Sequence, residues 1–122
     1  MKDQQTGGKA LTEAATAYMD AHSAEKFSLE KMAKALFVNG SYLTRAFKNY
    51  TGMTPLAYHH QLRCAKAKEL LASSALTVSQ IGEAVGYVSS SHFAHIFRKL
   101  EGCTPSEYQK QHKPEPEERT DR

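Results

Sequence analysis

No apolar run in this sequence approaches the roughly 18 residues that a bilayer-spanning helix needs, so no membrane-spanning helix is expected. The opening residues, Met1-Lys2-Asp3-Gln4-Gln5-Thr6-Gly7-Gly8, carry no apolar core of a secretory signal. The compartment expected by default is the cytoplasm. Cysteine is scarce: Cys64 and Cys103 stand far apart and form no C-x-x-C pair, which signals neither a zinc site nor a redox motif. Both are expected to be reduced, small apolar residues. Length is also short, at 122 residues. A chain of this size buries only about two-thirds of its unfolded surface, leaving no room for a deep cleft enclosed by two domains, so a large α/β enzyme is not expected.

Alternating β-branched segments are missing too. Every stretch from Leu11 to His112 with a clear period has the spacing of a helix, so the chain is expected to be all-α with about seven helices. The first covers Leu11 to His22, with Leu11, Ala14/Ala15 and Tyr18/Met19 as its buried stripe. A short second helix follows Ser28, from Leu29 to Leu36. The third runs from Ser41 until Gly52 stops it. Thr54-Pro55 starts a long fourth helix reaching Ala72, with Thr54 as N-cap and Pro55 where its missing N–H is harmless. Thr77 or the preceding residue caps a fifth, Val78 to Val85, ended by Gly86. A sixth begins near Ser89 or Ser90 and ends at Leu100, and Thr104-Pro105 opens a seventh ending near His112.

Charge of one sign is also scant, at a net +3, until it is apportioned. The segment after Pro114 has four acids, two bases and a Pro/Glu-rich composition expected to be disordered, so the remainder is about +5.

The chain contains one pattern twice. At an offset of 50, Val38/Val88, Ser41/Ser91, Phe47/Phe97, Gly52/Gly102, Thr54/Thr104, Pro55/Pro105 and Tyr58/Tyr108 are identical; upstream the offset is 49, pairing Leu29/Val78, Met32/Ile81, Ala35/Ala84 and Leu36/Val85, which makes Gly86 the inserted residue. Two copies are too few for a solenoid, so the expectation is two small helix-turn-helix subdomains. Organisation follows: 1–10 a disordered lead, 11–54 the first subdomain, 55–72 a joining helix, 73–112 the second subdomain, and 113–122 a disordered acidic tail.

In the first copy Leu43, Ala46/Phe47 and Tyr50 are expected to face inward, and Ser41, Thr44, Arg45 and Lys48 outward. In the second, Phe93, Ile96/Phe97 and Leu100 face in, and Ser91, His92, His95, Arg98 and Lys99 face out. Those outward groups suit DNA: arginine matches guanine O6 and N7, hydroxyls and imidazoles bond base edges, and lysine or arginine meets phosphate. No catalytic constellation stands out. His59 and His60 point to different sides of their helix, and His92 with His95 lack a third metal ligand nearby, so no metal or cofactor is expected. The rival reading is a helical protein-interaction module anchored by Tyr42, Tyr50 and Tyr58, although the repeat equivalence of Tyr58 and Tyr108 favours a core role for both.

These residues resemble the DNA-binding region of the AraC/XylS family of bacterial transcription regulators, over roughly Leu11 to Gln111. The most specific stretch runs from Ile81 through Gly86-Tyr87, Ser91-His92-Phe93 and Phe97-Arg98-Lys99 to Gly102-Cys103-Thr104-Pro105 and Tyr108. The resemblance implies two subdomains on a linker helix, with helices near 41–51 and 90–100 in successive major grooves, a spacing of about 34 Å that a monomer could bridge. It implies base reading by Ser41, Thr44, Arg45, Ser90, Ser91, His92 and His95. Phosphate contacts fall to Lys48, Arg98 and Lys99, and to backbone N–H groups at the helix starts near Ser28 and Thr77. Partners would be double-stranded DNA and, for an activator, RNA polymerase. Two departures stand out: His95 replaces a frequent arginine and Ala94 a frequent serine or threonine, so the first copy is expected to discriminate bases more strongly. Many members also carry a ligand-binding, dimerising domain before this region, so the chain is either a free-standing regulator or the DNA-binding piece of a longer one.

Overall fold

The computed structural model describes residues 2–112, those before Gly8 as backbone only. Seven helices follow one another: α1 (Lys2–Ala21), α2 (Leu29–Ala35), α3 (Gly40–Thr51), α4 (Pro55–Ser73), α5 (Val78–Ala84), α6 (Ser90–Glu101) and α7 (Pro105–His112), with no strand among the described residues. The expected order and six of the seven positions hold within about a residue at each end.

The exception is α1. The lead 1–10, expected to be disordered, is helical from Lys2. Once Ala15 and Met19 are buried, that helix is nucleated, and each residue added N-terminally contributes a backbone bond; lysine and glutamine are good helix formers and Asp3 suits the positive end of the helix, which offsets the cost of the Gly7-Gly8 pair. The tail expected at 113–122 lies outside the described residues.

The chain divides into two compact units, Met1–Leu62 and Arg63–Arg122. The boundary falls inside α4, so the expected separate joining segment 55–72 is instead shared. In unit 1 the core holds Ala15, Met19, Met32, Ala33, Leu43 and Phe47, with Tyr58 and Leu62 of α4 packed on it. In unit 2 Cys64, Ala67 and Leu71 of α4 are themselves core, beside Ile81, Val85, Tyr87, Phe93 and Phe97. A helix whose two halves bury different residues in different cores shows no single apolar stripe, which explains why its sequence resembles a spacer.

The two units repeat in detail. The Tyr58 ring meets Phe47 edge-on at 5.5 Å, and Tyr108 meets Phe97 at 5.7 Å. Helix starts are capped as hydrogen-bond accounting requires. Ser28 Oγ accepts from the Lys31 N–H, Asn39 Oδ1 from Tyr42, Thr54 Oγ1 from Ala57 and Ser89 Oγ from His92. Thr77 with Gln80 and Thr104 with Glu107 form reciprocal capping boxes.

Hydrogen bonds also locate the extra residue of the second copy. Phe37 donates to Lys34 O and Val38 to Ala33 O; Gly86 donates to Glu83 O and Tyr87 to Gly82 O, so the offset of 49 persists through Val38/Tyr87. The insertion is therefore Val88, fully exposed between Tyr87 and the cap Ser89, and not Gly86. Gly86 matches Phe37, and both adopt positive φ, 110° and 61°.

Candidate nucleic-acid interface

The residues expected to read DNA are brought together by α3 and α6. Over 41–50 and 91–100 the alternation of buried, half-buried and exposed positions is identical. Leu43 with Phe47, and Phe93 with Phe97, turn inward; Ser41, Arg45 and Lys48 in one unit and Ser91, His92, His95, Arg98 and Lys99 in the other are exposed, with Thr44 half-buried. Two inward assignments are corrected. Tyr50 is 54% exposed and Leu100 44%. Each lies one turn beyond the last core phenylalanine, where the helix has run past the residues it packs against.

In unit 1 an open groove is lined by Leu29 and Glu30 of α2 and by Gly40, Ser41, Thr44, Arg45, Lys48 and Asn49 of α3. Four of these were legible from the outward stripe. Glu30 and Asn49 were not, because Glu30 comes from the other helix of the motif and Asn49 lies one residue off the i, i+3, i+4, i+7 spacing. Both have suitable chemistry: a carboxylate accepts from cytosine N4, and an amide pairs with adenine.

In unit 2, Ser90 at the first position of α6 reaches Ser79 of α5, with 3.5 Å between hydroxyls. The His92 ring meets the Tyr87 ring at 5.4 Å, nearly perpendicular. Lys68 of α4 bonds Glu101 of α6 at 3.1 Å, tying the reading helix to its support. Among the helix-start candidates, the Ser28 hydroxyl is engaged as a cap. Thr77 is fully engaged, its N–H donating to Gln80 Oε1 at 2.9 Å and its hydroxyl accepting from the Gln80 N–H. A phosphate at that end would meet the N–H groups of Val78 and Ser79 instead.

Two acidic protons in unit 2 report burial. Loss of water around Cys64 pushes its thiol up to about 11, with Glu101 adding to the effect and Lys68 opposing it. The buried Tyr87 hydroxyl is pushed up to about 12 for the same first reason. Among the described residues, no three histidine, cysteine or acidic groups are placed to hold a metal, and no helix is long and apolar enough to cross a membrane.

The model of a helix-turn-helix domain family matches residues 32–111. A transcriptional regulator from Chromobacterium violaceum, described as AraC-type, is 32% identical, with a TM-score of 0.82 covering 88% of this chain and 96% of that one. The chain belongs to the AraC-type helix-turn-helix family. This AraC-type domain is also similar to the DNA-binding domain of AdpA, a global transcriptional factor solved with a target DNA, at 25% identity and a TM-score of 0.76 over 82% of this chain and 90% of that one. Among curated relatives, the HTH-type transcriptional activator RhaS of Escherichia fergusonii is 36% identical over 91 residues, 75% of this chain and 33% of its own length. The AraC-type domain spans about a third of the length of the curated relatives it matches. The family is one of transcription regulators and not of enzymes.

Proposed function

We propose that this chain binds duplex DNA in a sequence-specific manner and regulates transcription, with α3 and α6 each entering a major groove. The observation that carries the reading is the shared exposure pattern of 41–50 and 91–100, which presents hydrogen-bonding and cationic side chains from both reading helices while their phenylalanines hold the cores. Arg45 is the strongest base reader, matched to guanine; Ser41 and Thr44 support it, and Ser90, Ser91, His92 and His95 act in the second unit. Lys48, Arg98 and Lys99 meet phosphates, as do backbone N–H groups near Ser28 and after Thr77. Two units in one chain let a single copy occupy a bipartite site, with no dimer needed. Of the tyrosines that would anchor a protein partner instead, Tyr58 is spent on Phe47.

Because RhaS is described as an activator, contact with RNA polymerase is a further part of the proposal, made in the cytoplasm through faces other than α3 and α6. Selection of bound sequences from random duplex DNA tests the core of it. Two enriched motifs about one helical turn apart are expected, with log affinity falling steeply against log salt. No enrichment of any sequence would refute DNA reading.

A further inference from the structure

The turn between the helices of unit 1 has Val38 where unit 2 has Tyr87, and both turns close with the same backbone bonds. An aromatic ring at this place is therefore not what the turn requires. Tyr87 nevertheless stands there, only 4% exposed, with Arg63, Phe93 and His92 against its ring. The Arg63 guanidinium lies over its ring, 4.7 Å from the centroid. Phe93 sits at 5.6 Å on the core side. The third partner, His92, is not core: it stands on the exposed face of α6, where unit 1 has Tyr42.

Arg63 is itself 5% exposed, and withdrawing a guanidinium from water is costly unless its contacts repay it. Lying over the Tyr87 ring and hydrogen-bonded to its side chain, it fixes that ring through both contacts. The ring in turn meets the imidazole at 89°, the edge-to-face arrangement that aromatic quadrupoles favour. The second torsion of a histidine is otherwise broad. A neighbour that narrows it removes an ordering cost that would fall due on binding.

We propose that Tyr87, held in place by Arg63, is a positioning residue that aims the His92 imidazole at the DNA. The proposal rests on the DNA-reading function above and assigns one of its specificity determinants to a buried pair in α4 and the turn.

The test compares base preferences selected by the unaltered chain with those of Y87V, Y87F, R63M, H92A and the Y87V/H92A pair, well below each variant's melting temperature. Y87V installs the residue that unit 1 already tolerates. Y87V and R63M are expected to lose about fivefold of discrimination at the one base position that H92A relaxes. The double variant should do no worse than H92A there, and Y87F, which keeps the ring but loses the hydroxyl's bond to Arg63, should retain most of the original preference. In the free chain, the His92 ring-proton resonances should move in Y87V and move far less in Y87F, which keeps the ring. A uniform loss of affinity in Y87V, additivity with H92A, or unmoved His92 resonances would overturn the proposal. Failure of the unaltered chain to select any sequence would instead overturn the DNA reading on which it rests.

Discussion

Arg45 and Lys48 lie one turn apart on the same exposed stripe, yet the roles proposed for their side chains differ. A guanidinium offers a planar fork to one base edge, whereas an ammonium on a flexible stem is a point charge for a phosphate. Arg45→Ala should therefore cost about 1–3 kcal/mol and relax a single base position, while Lys48→Ala should weaken all sequences alike and lower the salt slope by about 1. Binding isotherms on the selected site and its single-base variants separate the two. Cys64 makes a second residue-scale case. Its thiol titrates near 11 in the folded chain against an ordinary 9.0, so between those values the unfolded chain sheds a proton that the native one keeps. That contribution is intact below pH about 9 and is lost as pH climbs to about 11. Tyr87, shifted from 10.0 to about 12, extends the loss upward. Melting temperature measured from pH 8 to 11 should fall accordingly, and Cys64→Ala should flatten the lower part of that fall. In the native state, alkylation at pH 8.5 should label the half-buried Cys103 and spare Cys64.

The turn between α2 and α3 imposes the same positive φ on Phe37 that the turn between α5 and α6 imposes on Gly86. A side chain at such an angle is strained, and Phe37, 93% exposed, gains no burial in return. Phe37→Gly is expected to stabilise unit 1 by about 1 kcal/mol, the relieved strain exceeding the entropy that glycine adds to the unfolded chain; thermal denaturation checks the sign. The same turn marks how far the fold was legible in the sequence. Helix order and caps followed from periodicity and from Thr54, Thr77 and Thr104, because those signals are local. The position of the inserted residue did not, since identical valines at 38 and 88 suggested a pairing that the backbone bonds contradict. Tyr50 and Leu100 had the spacing of core residues, but spacing cannot say where a helix outruns its neighbours. For the candidate site, the stripe on α3 was legible, while Glu30 and the Tyr87–His92 contact depend on a second element that no single-helix pattern contains.

Across the whole chain the repeat sets equal geometry against unequal chemistry. Arg45 and His95 stand at the same register position with the same exposure, but a guanidinium presents a planar fork of donors to one base edge, whereas an imidazole has a smaller donor set and no fork. Base discrimination should therefore be stronger through unit 1 than through unit 2. His95→Arg should narrow that difference and Arg45→His should remove it, each by about 1–3 kcal/mol, the worth of a bidentate base contact. Fluorescence anisotropy at constant pH and ionic strength, with each half of a complete bipartite site scrambled in turn, separates the two units. A larger loss from scrambling the half read by α6 than from scrambling the half read by α3 would reverse the order and leave Arg45 without the role proposed for it.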